Sequence, residues 1–257
     1  MLKELIALAC GISLGVGAML VRDRMTGTDA SACKTCAHPS TASCPAHRDV
    51  DDNIVLEDKA AANRLRVLLR DAVFKPWVQL GRAPTPDEIG AQAKLDRAGV
   101  MKLMDDFEAC ADDVGFGVKR VPESDLIAIA WPFSNVPTGI DVTVEGGQAV
   151  HARCAIDSLG VSQMLHKKTT VDAMLEDGVK LHATVDGDKL VDAEPKDAVV
   201  FRGAGCDQML FFSSKDRVAV WKKAHGIADD VGAVFTLDEA THRGARGFGR
   251  FTEGLPD

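Results

Sequence analysis

The chain has 257 residues and a formal net charge of -8 at pH 7. Because phosphate binding requires an excess of Lys and Arg on at least one face, this acidic balance argues against a nucleic-acid partner. Tyrosine is absent, so no tyrosine serves as an acid, a nucleophile or a stacking platform. The seven cysteines are odd in number and lack the dense, even pattern of a small secreted disulfide scaffold, and this favours a reducing compartment.

An uncharged run rich in Leu, Ala and Gly covers residues 5–21. As a helix it would be about 25 Å long, which is close to the thickness of a bilayer core. We therefore expect a membrane anchor within residues 1–25, and the arginines that follow the run would leave the body of the protein in the cytoplasm. The alternative is a start at Met19 or Met25, which would remove the run from the protein.

Residues 26–57 form a linker rich in Ser, Thr, Ala and Pro that carries four metal-type ligands. These ligands are Cys33, Cys36, Cys44 and His47. Cys-x2-Cys followed by Cys-x2-His has the ligand types and the paired spacing of a tetrahedral zinc site, although the intervening sequence is shorter than in most zinc fingers. One interpretation is a capture site for a thiophilic metal, and the other is a disordered tether whose cysteines have no specific role.

Three helices are predicted in the segment that follows. The first begins near residue 58, where apolar residues take on helical spacing, and ends before Pro76. The second begins after Thr85, which is followed by a proline and two acidic residues, the order expected at a helix N-terminus. The third opens at Arg97.

Two strand patterns, at residues 116–121 and 126–131, come directly after these helices. Helices followed by such strands predict a winged-helix-like unit over residues 58–122. In a DNA-reading winged helix the third helix would be basic, whereas here acidic residues stand beside the basic ones, so a structural role is favoured. Cys110, at the end of this helix, is interpreted as a packing residue.

Residues 123–257 combine strand and helix patterns, which predicts a mixed sheet-and-helix catalytic unit and an α+β fold for the chain. Strands are predicted at residues 140–144, 149–154, 179–185, 198–201 and 209–212. The glycine pair at residues 146–147 predicts a hairpin between the first two strands. A closing helix over residues 237–247 is predicted to break up at Gly244 and Gly247.

Two cysteines and an aspartate are the candidate catalytic and metal-binding residues of this unit. Cys154 and Asp157 lie where a predicted strand meets a predicted helix, and Cys206 follows a Gly-Ala-Gly sequence later in the chain. A helix N-terminus lowers the pKa of a thiol, and Arg153 or His151 would add to the effect, so the pKa of Cys154 is expected to be lowered. Two thiolates can bind a thiophilic metal, and a carboxylate can carry a proton to whatever the metal releases.

Three segments, in this order, resemble the alkylmercury (organomercurial) lyases. They are Val150-His-Ala-Arg-Cys-Ala-Ile-Asp-Ser-Leu159, Gly205-Cys-Asp-Gln-Met-Leu-Phe-Phe212 and Trp221-Lys-Lys-Ala-His225-Gly226. The most specific parts are the Cys-Ala-Ile-Asp sequence and the cysteine ahead of a Phe pair. The resemblance covers residues 60–250, including the helical unit.

The resemblance implies a role for each residue of the site. Cys154 would take the mercury of the substrate, Cys206 would join it, and Asp157 would relay the proton. The family reaction is protonolysis of a carbon-mercury bond, which gives a hydrocarbon and enzyme-bound Hg2+ that passes to small thiols and then to a mercuric reductase. No organic cofactor is expected. Arg153 stands where the resemblance leads us to expect an aromatic side chain.

Two functions of different classes remain open. The first is an organomercurial lyase, and the second is a non-catalytic protein that binds mercury or copper and passes it on through the linker cysteines. Taken singly, a buried cysteine is usually a packing residue and Asp157 could be a helix cap. A pure binder has no use for a proton donor beside the thiols, so Asp157 favours the enzyme. A winged-helix regulator is disfavoured by the acidic balance.

Overall fold

The structure, a computed structural model, describes residues 56–114 and 117–252. The anchor expected within residues 1–25 and the four metal-type ligands of the linker lie outside these residues and stay predictions. Within the described ranges, no helix has both the length and the apolar character needed to cross a membrane.

Helices make up the first part of the described chain. They are α1 (Leu56–Leu69), α2 (Lys75–Leu80), α3 (Pro86–Ala93) and α4 (Arg97–Val114). The helix start predicted at Thr85 is confirmed, and Thr85 forms a capping box with Glu88 as its reciprocal partner. The prediction that the first helix ends before Pro76 is wrong, because one π-helical turn, Arg70–Phe74, joins α1 to α2. Pro76 falls in the first turn of α2, where a missing N–H is tolerated.

An eight-stranded antiparallel sheet follows the helices. Its strands are β1 (Val118–Arg120), β2 (Ile127–Ala130), β3 (Phe133–Ser134), β4 (Ile140–Val144), β5 (Ala149–Ala152), β6 (Thr169–Met174), β7 (Lys180–Asp186) and β8 (Lys189–Glu194). Their order across the sheet is β1-β2-β3-β5-β4-β6-β7-β8. The predicted hairpin is confirmed, since β4 and β5 pair with Val142 opposite Val150. Alternate residues of β4 are buried, so one face of the sheet lies on the core.

A smaller sheet and three further helices complete the described chain. The elements are α5 (Ala155–Leu165), β9 (Val199–Arg202), β10 (Met209–Phe212), α6 (Lys215–Ala224), β11 (Ala233–Thr236) and α7 (Leu237–Thr252). The strands β9, β10 and β11 pair antiparallel in the order β10-β9-β11. Helix α5 connects β5 to β6 and therefore begins at the end of a central strand of the large sheet.

The closing helix α7 is continuous through Gly244 and Gly247, so the predicted break is wrong. Gly244 lies against Gly160 of α5, where an added Cβ on Gly160 would come within 2.9 Å of the Gly244 carbonyl and 2.3 Å of the Phe248 ring. Glycine therefore lets the two helix backbones touch. The packing that results outweighs the low helix propensity of these residues.

A continuous hydrophobic core joins the helical unit to the large sheet. The rings of Phe74 and Trp77 each lie 5.8 Å from the ring of Phe133 on β3. The same buried cluster includes Val118 of β1 and Leu159 of α5. The mixed α+β class is therefore confirmed. The wing-like hairpin β1–β2 follows the helices as expected but is also part of the large sheet, and the domain boundary at residues 122–123 stays a prediction.

Candidate active site

Cys154 lies at the junction between β5 and α5. Its backbone is extended and it is the N-cap of the helix, which begins at Ala155. The Cys154 Sγ accepts a hydrogen bond from the backbone N–H of Asp157 at 3.4 Å, in the position that a capping hydroxyl oxygen usually takes. The side chain is only 2% exposed. The strand-to-helix junction predicted for this cysteine is confirmed.

Cys206 opens a short 3-10 turn in the loop between β9 and β10. The Gly203 N–H donates to the Gln208 carbonyl at 2.8 Å, and the Gln208 N–H donates to the Gly205 carbonyl at 3.0 Å. An added Cβ on Gly203 would lie 2.3 Å from the side-chain oxygen of Gln208. The glycines around Ala204 therefore permit a tight loop, and this loop holds Cys206 opposite the N-terminus of α5.

The loop and the helix bring Cys154, Asp157 and Cys206 together. Their ligand atoms, two sulfurs and a carboxylate oxygen, all lie within 4.8 Å of one another. Asp157 is 9% exposed, and its Oδ2 is buried with no hydrogen-bond partner among the described residues. Two thiols can hold a soft metal ion here, and an acid lies within reach of a group bound to that metal.

The two thiols have different acidities. The hydrogen bond with Cys154 lowers the pKa of Cys206 to about 6, and the charge of Arg153 and a hydrogen bond from Trp131 act in the same direction. The same hydrogen bond raises the pKa of Cys154, as do burial and the charge of Asp157. The thiolate therefore resides on Cys206. The expectation that the helix N-terminus lowers the pKa of Cys154 is wrong, because the hydrogen bond with Cys206, burial and neighbouring negative charge outweigh it.

Asp157 has the acidity of a group that exchanges protons at neutral pH. Burial raises the pKa of its carboxyl to about 7, and the negative charge of Cys206 adds to the effect. The hydrogen bond with Cys154 and the charge of Arg153 oppose it. Near pH 7 the carboxyl is present in both forms, so it can accept a proton and release it again.

Sequence reasoning missed two side chains of the site. The thioether sulfur of Met209, the first residue of β10, lies 3.7 Å from the Cys154 Sγ and adds a third soft sulfur. Trp131 packs its indole against the Arg153 guanidinium, whose carbon lies 4.5 Å from the ring centroid. Met209 lies within one of the segments that resemble the lyases, but no local pattern indicated its direction. No pattern in the sequence predicted a place for Trp131 in the site, because it is distant from Cys206 in the chain.

The remaining candidates lie apart from this cluster or outside the described side chains. His151 is paired across the sheet with Asp141, whose Oδ1 lies 2.6 Å from the His151 Nδ1, so it is a hydrogen-bonded strand residue. Cys110 lies in α4, but its side chain is not described, and its packing role stays a prediction. The linker ligands Cys33, Cys36, Cys44 and His47 also lie outside the described residues.

The fold and the site define a protein with a candidate soft-metal site, in which two thiols lie beside a buried carboxyl. Residues 133–249, which include Cys154, Asp157 and Cys206, match the family model described as alkylmercury lyase. The resemblance to that family is thus confirmed. A solved structure described as the mercury-bound form of MerB2 aligns with a TM-score of 0.54 at 20% identity, covering 74% of this chain and 98% of that chain, a likeness that shows the fold alone. No curated protein sequence matches the chain.

Proposed function

We propose that the chain is an organomercurial lyase, which cleaves a carbon-mercury bond by protonolysis. The observation that carries the proposal is the convergence of Cys154, Asp157 and Cys206, whose ligand atoms lie within 4.8 Å of one another. The match of residues 133–249 to the alkylmercury lyase model supports it.

Capture of the substrate begins at Cys206, which reverses the order of the two thiols that the resemblance implies. The organomercury cation arrives bound to a small thiol, and the Cys206 thiolate displaces that thiol to form a sulfur-mercury bond. The leaving thiolate takes a proton from water. Cys206 suits this step because its pKa is lowered to about 6 and because it is more exposed than Cys154.

Cys154 then joins the mercury as the second ligand. Its thiol proton passes to the carboxylate of Asp157, and the freed thiolate binds the metal. The raised pKa of Cys154 keeps the proton in the site until mercury arrives, and bonding to mercury then favours its release. Two thiolates on mercury increase the electron density on the bound carbon.

Asp157 delivers the proton in the last step. Its protonated carboxyl gives the proton to the carbon, the carbon-mercury bond breaks, and the hydrocarbon leaves with Hg(II) still held by two thiolates. The proton lost by Cys154 is the one gained by the carbon, so the step balances with no oxidant, reductant or organic cofactor. Small thiols would then remove Hg(II) and hand it to a mercuric reductase in the cytoplasm.

The test is hydrocarbon release by the purified full chain with excess thiol. We expect benzene from phenylmercury and methane from methylmercury, detected by gas chromatography of the headspace. Tight binding of Hg(II) without hydrocarbon release would contradict the lyase and would favour a protein that only binds and transfers the metal.

A further inference from the structure

Arg153 is a half-buried cation beside the candidate active site, and its charge acts on Cys206 and Asp157. Among the described residues, its guanidinium takes part in no hydrogen bond and no ion pair, and its Nη1 atom is buried without an acceptor. Native proteins rarely leave a buried donor without an acceptor, because the donor loses its hydrogen bonds to water on burial and forms none to replace them. Such a group at an active site indicates a partner that arrives with the substrate.

The position of Arg153 is fixed next to the thiols. Its backbone N–H donates to the Pro132 carbonyl at 2.8 Å, and the next residue is the N-cap Cys154. Its guanidinium carbon lies 4.5 Å from the centroid of Trp131, and a hydrogen bond from that indole acts on Cys206. The planar guanidinium of Arg153 is therefore stacked on the Trp131 indole, which also contacts the Cys206 thiolate.

A second cation lies near the same Trp131 side chain. The Lys119 Nζ is 5.5 Å from the Trp131 centroid. The charge of Arg153 acts on both Cys206 and Asp157. An anion that enters with the substrate would therefore reach the Arg153 guanidinium directly beside the thiols.

We propose that Arg153 binds a carboxylate that enters with the mercury, so that the preferred substrates are carboxylate-bearing organomercury complexes. A guanidinium matches a carboxylate with two parallel hydrogen bonds, and Trp131 offers a face for an aromatic organic group. The inference rests on the proposed lyase function and names its substrate class. The carboxylate has two sources, the organic group itself or the small thiol that accompanies the mercury.

The experiment compares two substrates in two thiols. Phenylmercury and 4-carboxyphenylmercury are each supplied with excess 2-mercaptoethanol or mercaptoacetate, and the release of benzene or benzoate is measured. If the carboxylate is on the organic group, we expect 4-carboxyphenylmercury to have about a tenfold higher kcat/KM in 2-mercaptoethanol, mainly through KM. If it is on the thiol, phenylmercury is turned over more efficiently in mercaptoacetate than in 2-mercaptoethanol.

Arg153→Met removes the cation and keeps the length of the side chain. The measured quantity is the preference ratio, which is kcat/KM with the carboxylate divided by kcat/KM without it. The absolute rate is not used, because Arg153 also acts on Cys206. We expect the ratio to fall to about one in Arg153→Met and to stay partly elevated in Arg153→Lys, which keeps the charge but loses the two-pronged geometry. The control is Arg246→Met, on the exposed side of α7, which keeps the wild-type ratio. A ratio of one in the wild type, or a ratio unchanged by Arg153→Met, overturns the inference.

A binding measurement separates this inference from the lyase proposal. The Asp157→Asn variant keeps both thiols, and its affinity for the two organomercurials is measured by tryptophan fluorescence in competition with 2-mercaptoethanol and mercaptoacetate. A carboxylate preference that Arg153→Met abolishes supports the anion site even if the wild type releases no hydrocarbon. Hydrocarbon release with no carboxylate preference in either assay leaves the lyase proposal standing and rejects the role of Arg153.

Discussion

The sulfur of Cys154 and the backbone amide of Asp157 are joined by a hydrogen bond of 3.4 Å. This contact places the thiol and the carboxyl on the first turn of α5, so their separation is fixed by helix geometry and not by a flexible loop. The helix is anchored in turn by its packing on α7. A mercury atom held by Cys154 would therefore meet the carboxyl in a defined position, as proton transfer requires.

We expect Asp157→Asn to lower hydrocarbon release by at least about 100-fold, because the amide cannot deliver a proton to carbon. Binding of Hg(II) should persist, since both thiols remain, and the ultraviolet absorbance of the mercury-thiolate bonds measures it. Asp172→Asn is the matched control, because Asp172 lies on β6 and contacts His182 at 2.8 Å. Equal losses in the two variants would contradict the proton-relay role.

Alkylation should distinguish the two thiols. At pH 7 we expect iodoacetamide to modify Cys206 at least about ten times faster than Cys154, because Cys206 is more exposed and its pKa is lowered to about 6 while that of Cys154 is raised. Peptide mapping by mass spectrometry measures how fast each of the two cysteines is modified. Faster modification of Cys154 would mean that the thiolate resides at the helix N-terminus after all.

Removing either thiol should stop turnover. We expect Cys154→Ala and Cys206→Ala each to abolish hydrocarbon release, because one thiolate alone does not sufficiently activate the carbon. Cys110→Ala should leave the rate nearly intact. Loss of activity in Cys110→Ala would contradict the assignment of Cys154 and Cys206 as the two thiols that bind mercury.

Much of the site could be predicted because its determinants are close together in the chain. The alternation of β4, the glycine pair after it and the strand-to-helix junction at Cys154 all follow from local patterns. The resemblance of short segments to the lyases supplied the pairing of Cys154 with Cys206, which no local rule gives. Strand β6 was missed because its inward residues, Thr169, Val171 and Ala173, are small and only weakly apolar, so the alternation is faint.

The rest of the site depends on tertiary contacts that the sequence does not display. The ionisation of Cys206 and Cys154 is set by mutual hydrogen bonding and burial, which outweigh the effect of the helix terminus used in the prediction. The contact of Trp131 with Arg153 joins the segment before β3 to the end of β5. Gly244 was interpreted as a helix breaker because its partner, Gly160, is far away in the chain.

The acidity of Asp157 should also appear in the stability of the protein. Burial raises its pKa from 3.8 to about 7, so between these pH values the folded state holds a proton that the unfolded state has lost. This contribution to stability is complete below pH 3.8 and is lost as pH rises through 7, at about 1.4 kcal/mol per pH unit at most. We expect Asp157→Asn to gain stability relative to the wild type as pH rises from 5 to 7. Urea unfolding across this range measures the difference, and a constant difference would contradict the shift.

The glycines of α5 and α7 give a test of the helix contact that positions the site. Gly160→Ala should destabilise the protein by about 1–3 kcal/mol, because the new Cβ would lie 2.3 Å from the Phe248 ring and 2.9 Å from the Gly244 backbone. Gly247→Ala is the matched control in α7. Among the described residues, no atom outside the backbone of its own helix lies within 4 Å of a Cβ at Gly247, so this change should stabilise the helix by up to about 1 kcal/mol. Chemical denaturation of both variants measures the effects, and a stabilising Gly160→Ala would show that the two helices are further apart than described.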